Sequence, residues 1–328
     1  MSVRQGAGGS SAKKWMMLAA RLAVVVLIYY FISRQVPLQN LRPLMVPALI
    51  AAFGIAVALN VMQAMLCTVR WRLMAAHVEA VPDFTRSFAA YMEGLFFNQA
   101  LPSFIGGDAV RILRWRAFGV AVSDALLSVF RDRLFGAIGA SSFTVLAAAL
   151  LWNGPVEQYK VLTLLALGAA VTVACLVVLS LSQWSRLSAL LSRVRGVGAL
   201  VEKLAASELN RLQLAQALGV SLVAQLLPGI SVLVIAVALG IDISVALAIA
   251  ITGAILLISM IPVSLAGWGV REAGFLVILV PLGATAESAL MLGICFGLAG
   301  VCGALLGGLS IALGWSAPAL SSGAQRTQ

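Results

Sequence analysis

Two arginines of this chain stand at the same place in a ten-residue pattern that occurs twice, 160 residues apart. Pro102, Gly107, Val110 and Arg111 in the first copy correspond to Pro262, Gly267, Val270 and Arg271 in the second. Each copy interrupts an otherwise apolar, membrane-length region. Proline and glycine break helices, and a half-helix starting after such a break offers unbonded N–H groups and a partial positive charge. A guanidinium beside that terminus can bind two phosphate oxygens in one plane. The pattern therefore points to recognition of a phosphate-bearing headgroup by Arg271 and Arg111, with Glu272, Asp108 and Glu93 balancing charge. Pro102, Gly106, Gly107, Pro262, Gly267 and Gly269 are expected to act as helix breaks or hinges. Asn98, just ahead of the first break, is expected to satisfy backbone groups freed there. The plainer alternative is that each arginine pairs internally, for example with Asp108 or Glu272, and only stabilises a hairpin tip.

A charged side chain inside a membrane segment costs ~2.5–3.5 kcal/mol on insertion scales, which makes each of these groups a functional candidate. Glu93 lies among Tyr91, Phe96 and Phe97 and is expected to pair with an arginine. Arg131-Asp132-Arg133 carries less weight, because Leu134 to Trp152 alone is 19 residues and long enough to span, so the cluster reads as a mark of the inner interface. Arg70-Trp71-Arg72 reads as an interfacial anchor, tryptophan at headgroup depth and arginines on the cytoplasmic side.

The elements that must position these residues are membrane helices. Of 328 residues, 62% are hydrophobic and 10% charged, far from the balance of a soluble domain. Spans of about 20 apolar residues fall at 15–33, 44–68, 122–151, 159–182, 212–239 and 287–314. The regions 84–117 and 243–282 carry the two breaks, and each half is short enough to enter and return. The expected fold is an all-α polytopic membrane protein with about six full spans and two re-entrant helical hairpins. Most basic residues then fall on one side, with only Arg34, Arg42 and Lys160 opposite and Arg271 inside the second hairpin. That bias places both termini in the cytoplasm, in a cell inner membrane. The two hairpins enter from opposite sides, so the repeats, about 44–151 and 212–314, are inverted.

Residues 184–209 carry an apolar stripe opposite Arg193, Arg195 and Lys203, the pattern of an amphipathic helix on the membrane surface. The tails 1–14 and 316–328 have the composition of disorder. Glycines in 136–142 and 293–308, including Gly293, Gly297, Gly303 and Gly307, have the spacing of close helix packing.

Several function classes are poorly supported. The net charge of +10 is spread over membrane-flanking segments and does not gather with aromatics, so nucleic acid is not an expected partner. Cys67, Cys175, Cys295 and Cys302 lack metal-site spacing, and His77 has no matching base or nucleophile. No phosphate-binding GxxxxGK loop or nucleophile elbow occurs, so no cofactor, metal or catalytic residue is expected. A membrane-embedded transferase using Glu93, Asp108 or Glu272 as base is the remaining enzyme alternative.

The motifs together resemble a known family. Arg70-Trp71-Arg72, then Tyr91, Gly94 and Asn98, Leu101-Pro102, Gly106-Gly107, Val110-Arg111 and Arg131 are similar to the lysylphosphatidylglycerol synthase transmembrane, or flippase-like, family. Ile261-Pro262 to Gly267-Trp268-Gly269-Val270-Arg271-Glu272 resembles its second signature, with Ala266 a departure where glycine is common. The resemblance covers roughly 15–315. It implies translocation of a phospholipid or a polyprenyl-phosphate-linked lipid. It argues against synthase activity, because the soluble domain that makes the aminoacylated lipid in bifunctional members is not seen here. Two further partners fit the resemblance: a second copy of the chain, or an envelope-synthesis enzyme that a non-transporting membrane protein would hold.

Overall fold

The computed structural model describes Tyr30, Leu44 and residues 46–100, 104–153, 157–180, 209–259 and 267–313. Among these, the regular structure is helical. The helices are α1 (Pro47–Met74), α2 (Phe84–Ala100), α3 (Phe104–Ala117), α4 (Val122–Leu151), α5 (Gln158–Ser180), α6 (Arg211–Ala238), α7 (Val245–Ser259), α8 (Val270–Leu279) and α9 (Ala286–Ala312). Their starts follow local chemistry. Pro47 opens α1, where its missing N–H costs nothing. Asn210 and Gln213 cap α6 reciprocally, and Thr285 caps α9 through the Ser288 N–H.

Length separates two kinds of helix. Five are long and apolar enough to cross a membrane: α1, α4, α5, α6 and α9. These correspond to five of the six expected spans. The span expected at 15–33 lies, apart from Tyr30, outside the described residues, as do the surface helix at 184–209 (apart from Leu209) and both tails. The other four helices, of 17, 14, 15 and 10 residues, rise only about 26, 21, 22 and 15 Å, short of a hydrocarbon core of about 30 Å. They are the two interrupted regions, each present as a pair of half-length helices.

The packing closes a ring. α2, α3, α4, α7, α8 and α9 each pack on the next, and α9 returns to α2. α1 and α6 pack on each other and on members of this ring. They run antiparallel, since Leu49, Ala52 and Ala56 share a core with Val232, Ile235 and Ala236, while Arg70 at the other end of α1 reaches Ser221 near the start of α6. When α1, α2, α3 and α4 are exchanged for α6, α7, α8 and α9, every one of these packing contacts maps onto another. α5 stands outside this relation and packs on α4, turning Leu162, Val173 and Leu176 outward.

Glycine permits the closest approaches. A Cβ on Gly307 of α9 would overlap the Met92 carbonyl of α2, and one on Gly253 of α7 would lie 2.6 Å from Phe143 Cβ of α4. The glycine spacing of α9 thus reflects backbone contact. Gly307→Ala is expected to cost about 1–3 kcal/mol, because a backbone carbonyl must yield. Gly54→Ala, with nothing within 4 Å of the added carbon, should be tolerated. Thermal unfolding in detergent distinguishes the two, with a lower midpoint expected only for the first.

Candidate functional site

Three consecutive residues of α4 organise the polar interior. Helical neighbours point about 100° apart, so Arg131, Asp132 and Arg133 reach different partners. Asp132 is buried and accepts from Arg70 Nε at 2.7 Å on Oδ1 and from Arg111 Nη2 at 2.8 Å on Oδ2. Arg133 grips Asp108 with Nε and Nη2 at 2.8–3.1 Å. Arg131 approaches His77 Nδ1 at 3.4 Å. Asp108 and Arg111 share one face of α3 and lie 3.5 Å apart, which joins the first two pairs into one network.

Aromatic rings hold Arg111 in place. Its guanidinium lies 4.1 Å from the Trp71 ring centroid and 4.6 Å from that of Tyr91. Trp71 in turn stacks on Trp115 at 4.1 Å and donates to Ser128 Oγ at 3.0 Å. A desolvated cation over such faces gains on the order of 2 kcal/mol. Glu93, also buried, pairs with Arg114 and accepts from Ser310 Oγ of α9 at 3.1 Å.

The two hairpin tips are built differently. α3 begins at Phe104, so Gly106 and Gly107 are helical and do not form the break; it lies outside the described residues, with Pro102. Arg111 therefore sits two turns inside α3 and not at its N-terminus. Gly107 serves a close crossing, where a Cβ would overlap the Gly94 carbonyl, and its N–H donates to Asn98 Oδ1 at 3.0 Å. Asn98 thus bonds a backbone N–H at the start of α3. In the second copy Gly267 and Gly269 do form the turn, at φ of +78° and +83° that only glycine adopts without strain. Pro262 lies outside the described residues. α8 follows with Arg271 as its second residue. Buried Glu272 accepts from the Gly269 N–H and holds Arg271 through Nε at 3.0 Å and Nη2 at 2.7 Å. Arg271 also lies 4.7 Å from the Trp268 ring and packs across Gly297 of α9, where a Cβ would overlap the guanidinium.

A cavity of about 320 Å³ opens between these elements. It is lined near the midpoints of four long helices, by Asn60 of α1, Gly136 of α4, Gln225 of α6 and Gly300 of α9, so it lies halfway along the membrane-length helices. Pro228, also on its wall, removes one backbone hydrogen bond from α6 at that level. Its charged lining is Arg70, Asp132, Arg133 and Arg271.

This changes the roles read from sequence. Of the candidate substrate-binding residues only Arg271 lines the cavity; Arg111, Glu272 and Asp108 hold lining residues from behind, while Glu93 and Asn98 bond residues that do not line it. Both repeat arginines are paired internally, as the plainer reading required. Arg70 and Trp71 are buried and central, not an interfacial anchor, and Asp132 is a hub, not an interface marker. Their sequence signal was a carboxylate flanked by two arginines in a region otherwise apolar enough to span. The missed members have different causes: Arg70 and Trp71 lie in the last turns of α1, whereas Asp132 lies about three turns into α4 and reads as an interface mark because the apolar run after it is long enough to span alone.

The lysylphosphatidylglycerol synthase TM region model matches residues 18–308. The chain belongs to this family. No curated protein matches it. Family membership and the long apolar helices make it a multi-pass membrane protein of lipid metabolism or translocation. Six of the residues on which the likeness rests meet in space: Arg70, Tyr91, Gly94, Asn98, Gly107 and Arg111 are joined among α1–α4.

Asp132→Asn is expected to cost about 3–5 kcal/mol, because it leaves two buried guanidiniums without their shared carboxylate. Arg70→Gln should cost less, since Arg111 still neutralises Asp132. Thermal unfolding of the purified protein should rank wild type above Arg70→Gln and Arg70→Gln above Asp132→Asn.

Proposed function

We propose that this protein moves a phosphate-bearing lipid headgroup across the bilayer of a cell inner membrane, with both termini cytoplasmic. One observation carries the reading: a polar cavity with three guanidiniums, Arg70, Arg133 and Arg271, in its wall, halfway along membrane-length helices. Around the cavity four arginines (70, 111, 133 and 271) are held by three carboxylates (Asp108, Asp132 and Glu272), an excess of one positive charge. A phosphate entering the cavity would offset that excess. Arg271 keeps Nη1 outside its bonds to Glu272, and Arg133 keeps Nη1 outside its bonds to Asp108, so each can turn one edge to an anion while its carboxylate fixes the other.

The antiparallel α1–α6 pair and the exchangeable packing contacts support an inverted duplication. In such folds the site sits between the repeats, and rocking of one against the other exposes it to each side in turn. On this reading the protein carries lipid and does no covalent chemistry.

The internal pairing of Arg111 and Arg271 favours a second reading, in which the arginines are structural and the chain is a non-transporting partner of an envelope-synthesis enzyme. A leaflet assay in proteoliposomes with fluorescent phosphatidylglycerol separates them. Wild type should move the lipid, and Arg271→Gln/Glu272→Gln, which keeps the tip neutral, should slow movement by about tenfold or more at equal folded protein. Movement by neither would overturn translocation, and equal movement by both would remove Arg271 from the path.

A further inference from the structure

We propose that the cavity selects an anionic lipid whose head beyond the phosphate is uncharged and hydroxylated, a glycerol or a sugar, and disfavours heads bearing an ammonium group. The inference rests on the cavity being a lipid-headgroup site and names the class of head it takes.

Charge comes first. The wall carries three guanidiniums and a single carboxylate. That carboxylate, Asp132, has one oxygen on Arg70 and the other on Arg111, so its single negative charge is already more than balanced by two guanidiniums. Glu272 and Asp108 stand behind the wall, occupied by Arg271 and Arg133. An ammonium group entering here would meet excess positive charge with no carboxylate to receive it, and in a low-dielectric interior that repulsion is weakly screened.

The rest of the polar wall is neutral, and part of it lacks a partner. Gln225 of α6 is 7% exposed, lines the cavity, and its Nε2 has no hydrogen-bond partner among the described residues. A buried amide in that state carries a desolvation cost until something polar meets it. On the same wall, Ser221 and Ser259 give their hydroxyl protons to the carbonyls of Ala217 and Ile255, which leaves their oxygens as acceptors, and Asn60 gives one amide N–H to Ala56. A hydroxyl, which both donates and accepts, matches such a wall. It satisfies Gln225 and the oxygens without adding charge, while the phosphate meets the arginines.

The test is a binding titration of the purified full-length chain in detergent by native mass spectrometry. The probes are phosphatidylglycerol, phosphatidic acid, phosphatidylethanolamine and lysylphosphatidylglycerol. Phosphatidylglycerol should bind about tenfold or more tighter than either ammonium lipid. Gln225→Leu, close in size and free of the unpartnered amide, should lower phosphatidylglycerol binding to the level of phosphatidic acid and leave phosphatidic acid unchanged. Gln225→Glu supplies the missing carboxylate and should shift the preference toward the ammonium lipids. Wild type that binds phosphatidylethanolamine or lysylphosphatidylglycerol as tightly as phosphatidylglycerol overturns the proposal, as does indifference of phosphatidylglycerol binding to both Gln225 variants. The binding readout keeps this separate from transport. The binding preference without movement in the leaflet assay would sink translocation and leave selectivity standing, and movement without that preference would do the reverse.

Discussion

The carboxylate of Asp132 is the group on which the interior of this protein depends. Its two oxygens bind guanidiniums from two other helices, so one side chain of α4 ties down α1 and α3 together. Arg70 passes the link on to Ser221 of α6, and Arg111 passes it to the rings of Trp71 and Tyr91. Three charges buried in an apolar bundle are tolerable only because each meets opposite charge or a π face, since an unmatched ion there costs several kcal/mol. Positive charge is left in excess along the cavity wall, which is what the proposed anionic headgroup would offset.

Polar groups can meet so deep because the backbones around them come unusually close. Gly94 and Gly107 let α2 and α3 touch, Gly297 lets the Arg271 guanidinium lie across α9, and Gly136 admits that of Arg70 against α4. A methyl group at Gly107 or Gly297 would occupy the space these contacts use. The short helices contribute in the same direction: α8 begins at the Gly267–Gly269 turn, and its second residue, Arg271, reaches the cavity at the mid-length of the long helices.

The fold was largely legible in the chain. Runs of apolar residues mark spans because nothing else satisfies the backbone in hydrocarbon, and five of the described helices fall where those runs predicted them. The two interruptions were legible for the same reason. The site was legible only in part. Arg271 was found at its true position, because Gly267 and Gly269 adopt the positive φ that their residue type permits. Arg111 was misplaced, because the glycines before it are helical; Gly107 donates to Asn98 and must be small where α3 crosses Gly94. Arg70 looked like an interface residue because it lies in the last turns of α1, and Asp132 because the apolar run that follows it could span by itself.

By itself, then, the sequence determined what is local: which segments are membrane helices, where they are cut short, and which charged residues are costly enough to need a reason. Tertiary structure alone decided which of those charges meet. A single carboxylate at position 132 has no preference among the chain's many arginines until α1, α3 and α4 cross. The choice of Arg70 and Arg111 follows from helix packing over separations of 62 and 21 residues, to which one-dimensional spacing is blind.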